Sequence, residues 1–125
     1  MIQNKPYIEI IGGNSLIPHN QILMELSKAD FCLLPYKHNK STYGRIPTKV
    51  YECLSMKVPM IIREKASWAD LCLGYNACII SDFKSPDRDL SNLLINKEFY
   101  DIGNKNDISW AAEAPKLIMF IENMI

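Results

Sequence analysis

Short apolar runs that alternate with stretches of helical periodicity leave this chain few ways to fold. Residues 7–11 form an isoleucine-rich run that stops at Gly12 and Gly13, as a buried parallel strand does before a turn. Residues 31–34 are wholly apolar and end at Pro35, and residues 60–62 and 78–80 repeat the pattern. Between these runs the spacing turns helical. Ile22, Leu23 and Leu26, followed by Ala29, give residues 19–28 one apolar face. Val50, Tyr51 and Leu54 do the same for a helix that starts at Pro47 and runs until Lys57 and Val58 lead to Pro59. A short helix over 67–73, closed by Gly74, and another over 87–95, entered through Ser85 and Pro86, complete the alternation. A last amphipathic helix over 110–125 is apolar at Ala114, Leu117, Ile118 and Ile121, after a loop at 101–107. Strands separated by helices of about ten residues, joined by right-handed crossovers, predict an α/β fold: an open parallel sheet of about four strands with helices on both faces.

The 125 residues suit one domain, residues 1–125, with one core, and 48% apolar against 22% charged residues is ordinary for a folded soluble chain. Fourteen basic residues balance fourteen acidic ones, so the chain lacks the basic field that nucleic-acid binding draws on. Apolar stretches such as 31–35 and 59–62 are far shorter than the roughly 20 residues that cross a bilayer. Residues 1–6 carry no apolar segment of the signal-peptide kind, which points to the cytosol. Cys32, Cys53, Cys72 and Cys78 stand in apolar contexts without CxxC spacing, and are expected as reduced, buried small hydrophobes rather than metal ligands. No metal site or bound cofactor is expected.

Open parallel sheets bind ligands outside the carboxyl ends of their strands, which directs attention to the polar loop 36–46 and the helix that follows it. A helix starting at Pro47 aims unpaired N–H groups at that crevice and favours phosphate there, with Arg45 and Lys49 flanking it. Lys49 in a first turn opposes the positive end of the helix dipole, a cost that a bound diphosphate would reverse; the alternative is a solvated lysine tolerated at the surface. Glu52, one turn on, shares a face with Lys49. It serves either as one half of a surface ion pair or as an acceptor for two ribose hydroxyls. Tyr36, His38 and Tyr43 offer aromatic faces for a base or sugar, or simply anchor the loop. His19 and His38 have no nucleophile or metal constellation around them.

The run Ala29-Asp30-Phe31-Cys32-Leu33-Leu34-Pro35-Tyr36, followed by Arg45-Ile46-Pro47-Thr48-Lys49-Val50-Tyr51-Glu52-Cys53-Leu54-Ser55-Met56-Lys57-Val58-Pro59-Met60-Ile61-Ile62, resembles the donor-site signature of group 1 glycosyltransferases of GT-B architecture. The match is in order and spacing. Gly12-Gly13, and Trp110 with Glu113, are similar to further parts of the pattern. The resemblance implies a Rossmann-like unit, half of a GT-B enzyme, that binds a UDP- or GDP-linked sugar for transfer to a polysaccharide, lipid or glycan. It implies Glu52 at the donor ribose and the backbone at Pro47 and Thr48, with Lys49, at the diphosphate; Tyr36 and Arg45 join the expected donor site from the reading of the loop and helix start. The acceptor would be held by a separate N-terminal domain, through which the enzyme would associate peripherally with a membrane.

The sequence departs from that pattern in three places. Gly44 stands where many members have a glutamate, eight residues before Glu52, and Lys57 replaces a glycine. The strand and helix that open the family's donor domain, with a glycine-rich turn and an Arg-Lys pair, are not matched, so the resemblance implies a domain without its first strand-helix unit and no turnover by the chain alone. A non-catalytic nucleotide-binding or assembly module of the same fold is the alternative. A flavodoxin-like regulatory domain would call for clustered acids at the strand ends, where only Asp30 and Asp82 are scattered.

Overall fold

The computed structural model describes residues 5–37, 39, 44–64, 66–84, 88–101 and 110–124. Within them the order is α1 (His19–Lys28), β1 (Cys32–Leu34), α2 (Thr48–Met56), β2 (Met60–Arg63), α3 (Ala69–Gly74), β3 (Cys78–Ser81), α4 (Arg88–Asn96) and α5 (Trp110–Glu122). The three strands form one parallel sheet in the order β1-β2-β3, with Cys32 opposite Met60 and Met60 opposite Cys78. The chain is therefore α/β with a small open parallel sheet.

Alternation along the strands divides the core. Leu34, Met60, Ile62 and Cys78 share one face of the sheet and belong to a single buried cluster with Leu26 of α1, Val50, Cys53 and Leu54 of α2, and Ala69 and Cys72 of α3. Two right-handed crossovers that step the same way across a sheet deliver their helices to the same side, which is why α2 and α3 gather there. On the opposite face Ile61 and Ile79 are buried while Leu33, in register with both, is 62% exposed. The expected cover of helices on both faces is thus realised by α1, α2 and α3 on one.

Three sequence expectations need correction. Residues 7–11 are not a strand: the chain turns there, with the Ile8 N–H on Lys5 O at 3.0 Å, and Ile10 is 53% exposed. β-propensity produces a strand only where a ladder partner exists, and none of β1, β2 or β3 pairs with this run among the described residues. The sheet accordingly has three described strands rather than about four. Gly74 is the last residue of α3 rather than its stop. Asn76 takes the left-handed position (φ 47°), donating its N–H to Leu73 O, and the next N–H, of Ala77, reaches Cys72 O at 2.9 Å. The apolar positions chosen for the final helix, Leu117, Ile118 and Ile121, are exposed on α5.

The segment after α4 closes the amino ends of the strands. Tyr100 donates its hydroxyl to Val58 O at 2.9 Å, just before β2, and its N–H to Asn76 O, just before β3. Lys97 Nζ donates to Cys78 O at 2.9 Å, and Phe99 meets Phe31 edge to face. No described helix is long and apolar enough to cross a membrane.

Lys57, where the signature has glycine, keeps the glycine's conformation: φ 55°, ψ 40° at the end of α2, with the next N–H, of Val58, bonded to Cys53 O. The turn therefore survives at a cost. A left-handed L-residue carries roughly 1–2 kcal/mol of strain, offset by the roughly 0.4–1 kcal/mol of extra unfolded-state freedom that glycine brings. Lys57→Gly is expected to stabilise the chain by about 0.5–1 kcal/mol net of these terms, read as a higher urea midpoint at unchanged slope; a lower midpoint would contradict it.

Candidate functional site

β1 delivers the chain to Pro35, and the loop that follows returns to the amino end of α2 through Arg45, Ile46 and Pro47. Pro47 is extended (φ −60°, ψ 137°) and supplies no side-chain cap, so the first N–H groups of α2, at Thr48 and Lys49, face outward; Val50 N–H is already used on Pro47 O at 2.9 Å. β2 ends beside β1, and the turn after it brings Ala66, Ser67 and Trp68 to the same place. Tyr36 and Trp68 meet edge to face, with ring centroids 6.4 Å apart at 76°.

Together these segments enclose a cavity of about 440 Å³. Of the residues chosen from sequence, Tyr36, Arg45, Pro47 and Thr48 line it. Lys49 and Glu52 do not. They pair with each other on the flank of α2 that faces α1, where Glu52 Oε1 also lies 3.9 Å from His19 Nε2. The structure thus shows the plain ion pair that their spacing allowed. His38 and Tyr43 lie outside the described residues. Gly44 sits at φ 76° with open space where a side chain would start, so backbone conformation rather than crowding favours glycine at that position.

Sequence reasoning missed Lys37, Asn39, Ile46, Ala66, Ser67 and Trp68 on the cavity wall. The signal was present for the last three: they follow the carboxyl end of a strand, as the loop 36–46 does, and the crevice rule applies to both. Trp68 was further concealed because it belongs equally to the core cluster.

The four cysteines are free, Cys53, Cys72 and Cys78 buried and Cys32 half-buried, and the thiols interact in two pairs, Cys32 with Cys53 and Cys72 with Cys78. A hydrogen bond from Cys53, helped by the Lys49 ammonium and opposed by burial, brings Cys32 down to about 7; the same bond, with burial, pushes Cys53 up. Cys32 is also the least buried of the four. Under iodoacetamide at neutral pH, peptide mass spectrometry is expected to find Cys32 modified first, and Lys49→Ala is expected to slow it. Equal slow labelling of all four cysteines would overturn this account. Among the described residues no three His, Cys, Asp or Glu side chains are grouped as metal ligands.

Comparison with protein-family models, with curated proteins and with solved structures finds no match to this chain.

Proposed function

We propose that the chain is the nucleotide-sugar-binding domain of a glycosyltransferase, a Rossmann-like unit that works beside a separate acceptor-binding domain in a GT-B enzyme. The observation that carries this reading is the meeting of Tyr36, Arg45, Pro47 and Thr48 around one cavity at the carboxyl ends of a parallel sheet. Those residues come from both halves of the sequence signature. A UDP- or GDP-linked sugar would set its diphosphate on the Thr48 and Lys49 N–H groups, where the helix dipole favours negative charge, with Arg45 alongside. Glu52 would turn to the ribose and Lys49 to the diphosphate. The two are paired with each other, but a partly exposed pair at this helical spacing is worth only about 0.2–0.5 kcal/mol and opens at little cost. Transfer to a polysaccharide, lipid or glycan acceptor on the cytoplasmic side of a membrane belongs to the same proposal.

The test is an NMR titration of the chain with UDP and with GDP to millimolar ligand. One nucleotide is expected to shift the Thr48, Lys49 and Glu52 amides, and Lys49→Ala is expected to weaken it by about 10-fold, the loss of one charge-assisted contact. No shift at α2 with either nucleotide would sink the donor-site reading. A nucleotide-binding or assembly module without turnover is the second reading, and Gly44 in the place of the signature's glutamate favours it. Release of sugar from the donor by the intact protein, measured with and without acceptor, separates the two.

A further inference from the structure

The charge of the cavity is one-sided. Lys37 and Arg45 both line it, no aspartate or glutamate does among the described residues, and neither cation is ion-paired among them. The imbalance is local, since the whole chain carries equal numbers of basic and acidic residues. From Phe31 to Tyr51 the sequence holds Lys37, Lys40, Arg45 and Lys49 and no acid at all. Of these, Lys49 is answered by Glu52.

A diphosphate on the amino end of α2 accounts for part of this charge, through Thr48 and the helix dipole. It does not account for the rest of the space. The cavity, about 440 Å³, lies within the roughly 300–1,000 Å³ of small-molecule sites and extends past α2 to Trp68 and Tyr36. A neutral sugar presents hydroxyl donors that carboxylates would accept, and the described wall has none. Beside the neutral polar groups of Asn39, Thr48 and Ser67, it offers two cations next to aromatic and apolar surface. The guanidinium of Arg45 has the fork geometry that pairs with a carboxylate through two parallel hydrogen bonds.

Resting on the donor-site reading above, we propose that the sugar carried by the nucleotide is itself anionic, a uronic acid or similarly carboxylated sugar, whose carboxylate is taken by Arg45 and Lys37. Gly44 fits this occupant. An acidic side chain at that position, next to Arg45, would neutralise the guanidinium and repel the ligand's carboxylate.

The experiment compares matched conjugates on the 125-residue chain: UDP-glucuronate with UDP-glucose, and GDP-mannuronate with GDP-mannose, each titrated by NMR. In one pair the carboxylated member is expected to bind about 10- to 100-fold more tightly, the range of one charged hydrogen-bonded contact. Arg45→Gln and Lys37→Gln, both at exposed positions, are each expected to reduce that ratio, and the double variant to bring it near one. Their amide spectra report in the same experiment that the fold is kept. Equal binding within the pair, or a preference that persists in the double variant, would overturn the carboxylate assignment while leaving nucleotide binding standing. If neither the conjugates nor UDP and GDP alone perturb α2, the donor-site reading fails and the carboxylate assignment falls with it.

Discussion

Replacing Trp68 with alanine is expected to lower the free energy of unfolding by about 3–5 kcal/mol and to remove with it the nucleotide-sugar binding proposed for the cavity. Trp68 is 6% exposed, packs in the main cluster, and at the same time forms the cavity wall against which Tyr36 sets its ring edge. Truncation therefore deletes a large apolar contact from the core and leaves Tyr36 without its partner, a ring pair itself worth about 0.5–1.5 kcal/mol. Urea denaturation gives the first quantity and titration under folding conditions the second. Trp68→Phe keeps most of the buried area and an aromatic edge, so it is expected to recover well over half of both losses. A Trp68→Ala variant of unchanged stability would show that the loop 66–68 is not part of the core, and would remove the basis for a preformed cavity.

Ile62→Ala is expected to cost about 2–5 kcal/mol, with Ile62→Val at about 0.5–1.5 kcal/mol. Ile62 lies on the central strand, fully buried, in register with Leu34 on one side and Ile80 on the other. Its neighbours in the cluster come from β1 and three helices, and they cannot all move inward at once, so most of the void persists and the cost exceeds simple transfer of the lost atoms. Leu33→Ala, two-thirds exposed on the facing side of the neighbouring strand, is the control and should change stability by no more than about 0.5 kcal/mol. Comparable losses at both positions would mean that Leu33 is covered as fully as Ile62, against its exposure here.

The same pair of residues shows why part of the fold could be read from sequence and part could not. Leu33 and Leu34 are identical and adjacent in a wholly apolar run, so no pattern distinguishes them; packing of α1, α2 and α3 buries Leu34, while Leu33, on the other face of a strand paired on one side among the described residues, is left exposed. Residues 7–11 make the point in reverse. Their composition suits a strand as well as residues 31–34 do, but a strand exists only through hydrogen bonds to a neighbour, and composition does not specify one.

At the candidate site the division is similar. Pro47 in an extended conformation before a helix, the exposed N–H groups behind it, and the positions of Tyr36, Arg45 and Thr48 beside a strand's carboxyl end all follow from local rules that operate over a few residues. Lys49 and Glu52 were legible as a pair because helical spacing alone brings them together. Their placement away from the cavity, toward His19, was not, since it depends on where α1 crosses α2. Lys57 and Asn76 hold left-handed turns that glycine would hold more cheaply, because the backbone bonds at each helix end repay the strain locally.

By itself, then, the sequence determined the alternation of strand and helix from residue 19 onward, the parallel direction of the strands, and the loop and helix terminus that flank the cavity. These depend on periodicity, on proline and glycine, and on connection length, all of which act within a few turns of chain. The tertiary structure alone decided that the sheet has three described strands, that α1, α2 and α3 gather on one face, and that Trp68 joins Tyr36 and Arg45 around one cavity. Each of these requires segments far apart in the chain to meet, as β1 and β2 or Tyr36 and Trp68 do, and such meetings are selected by the packing of the whole core rather than by any local preference.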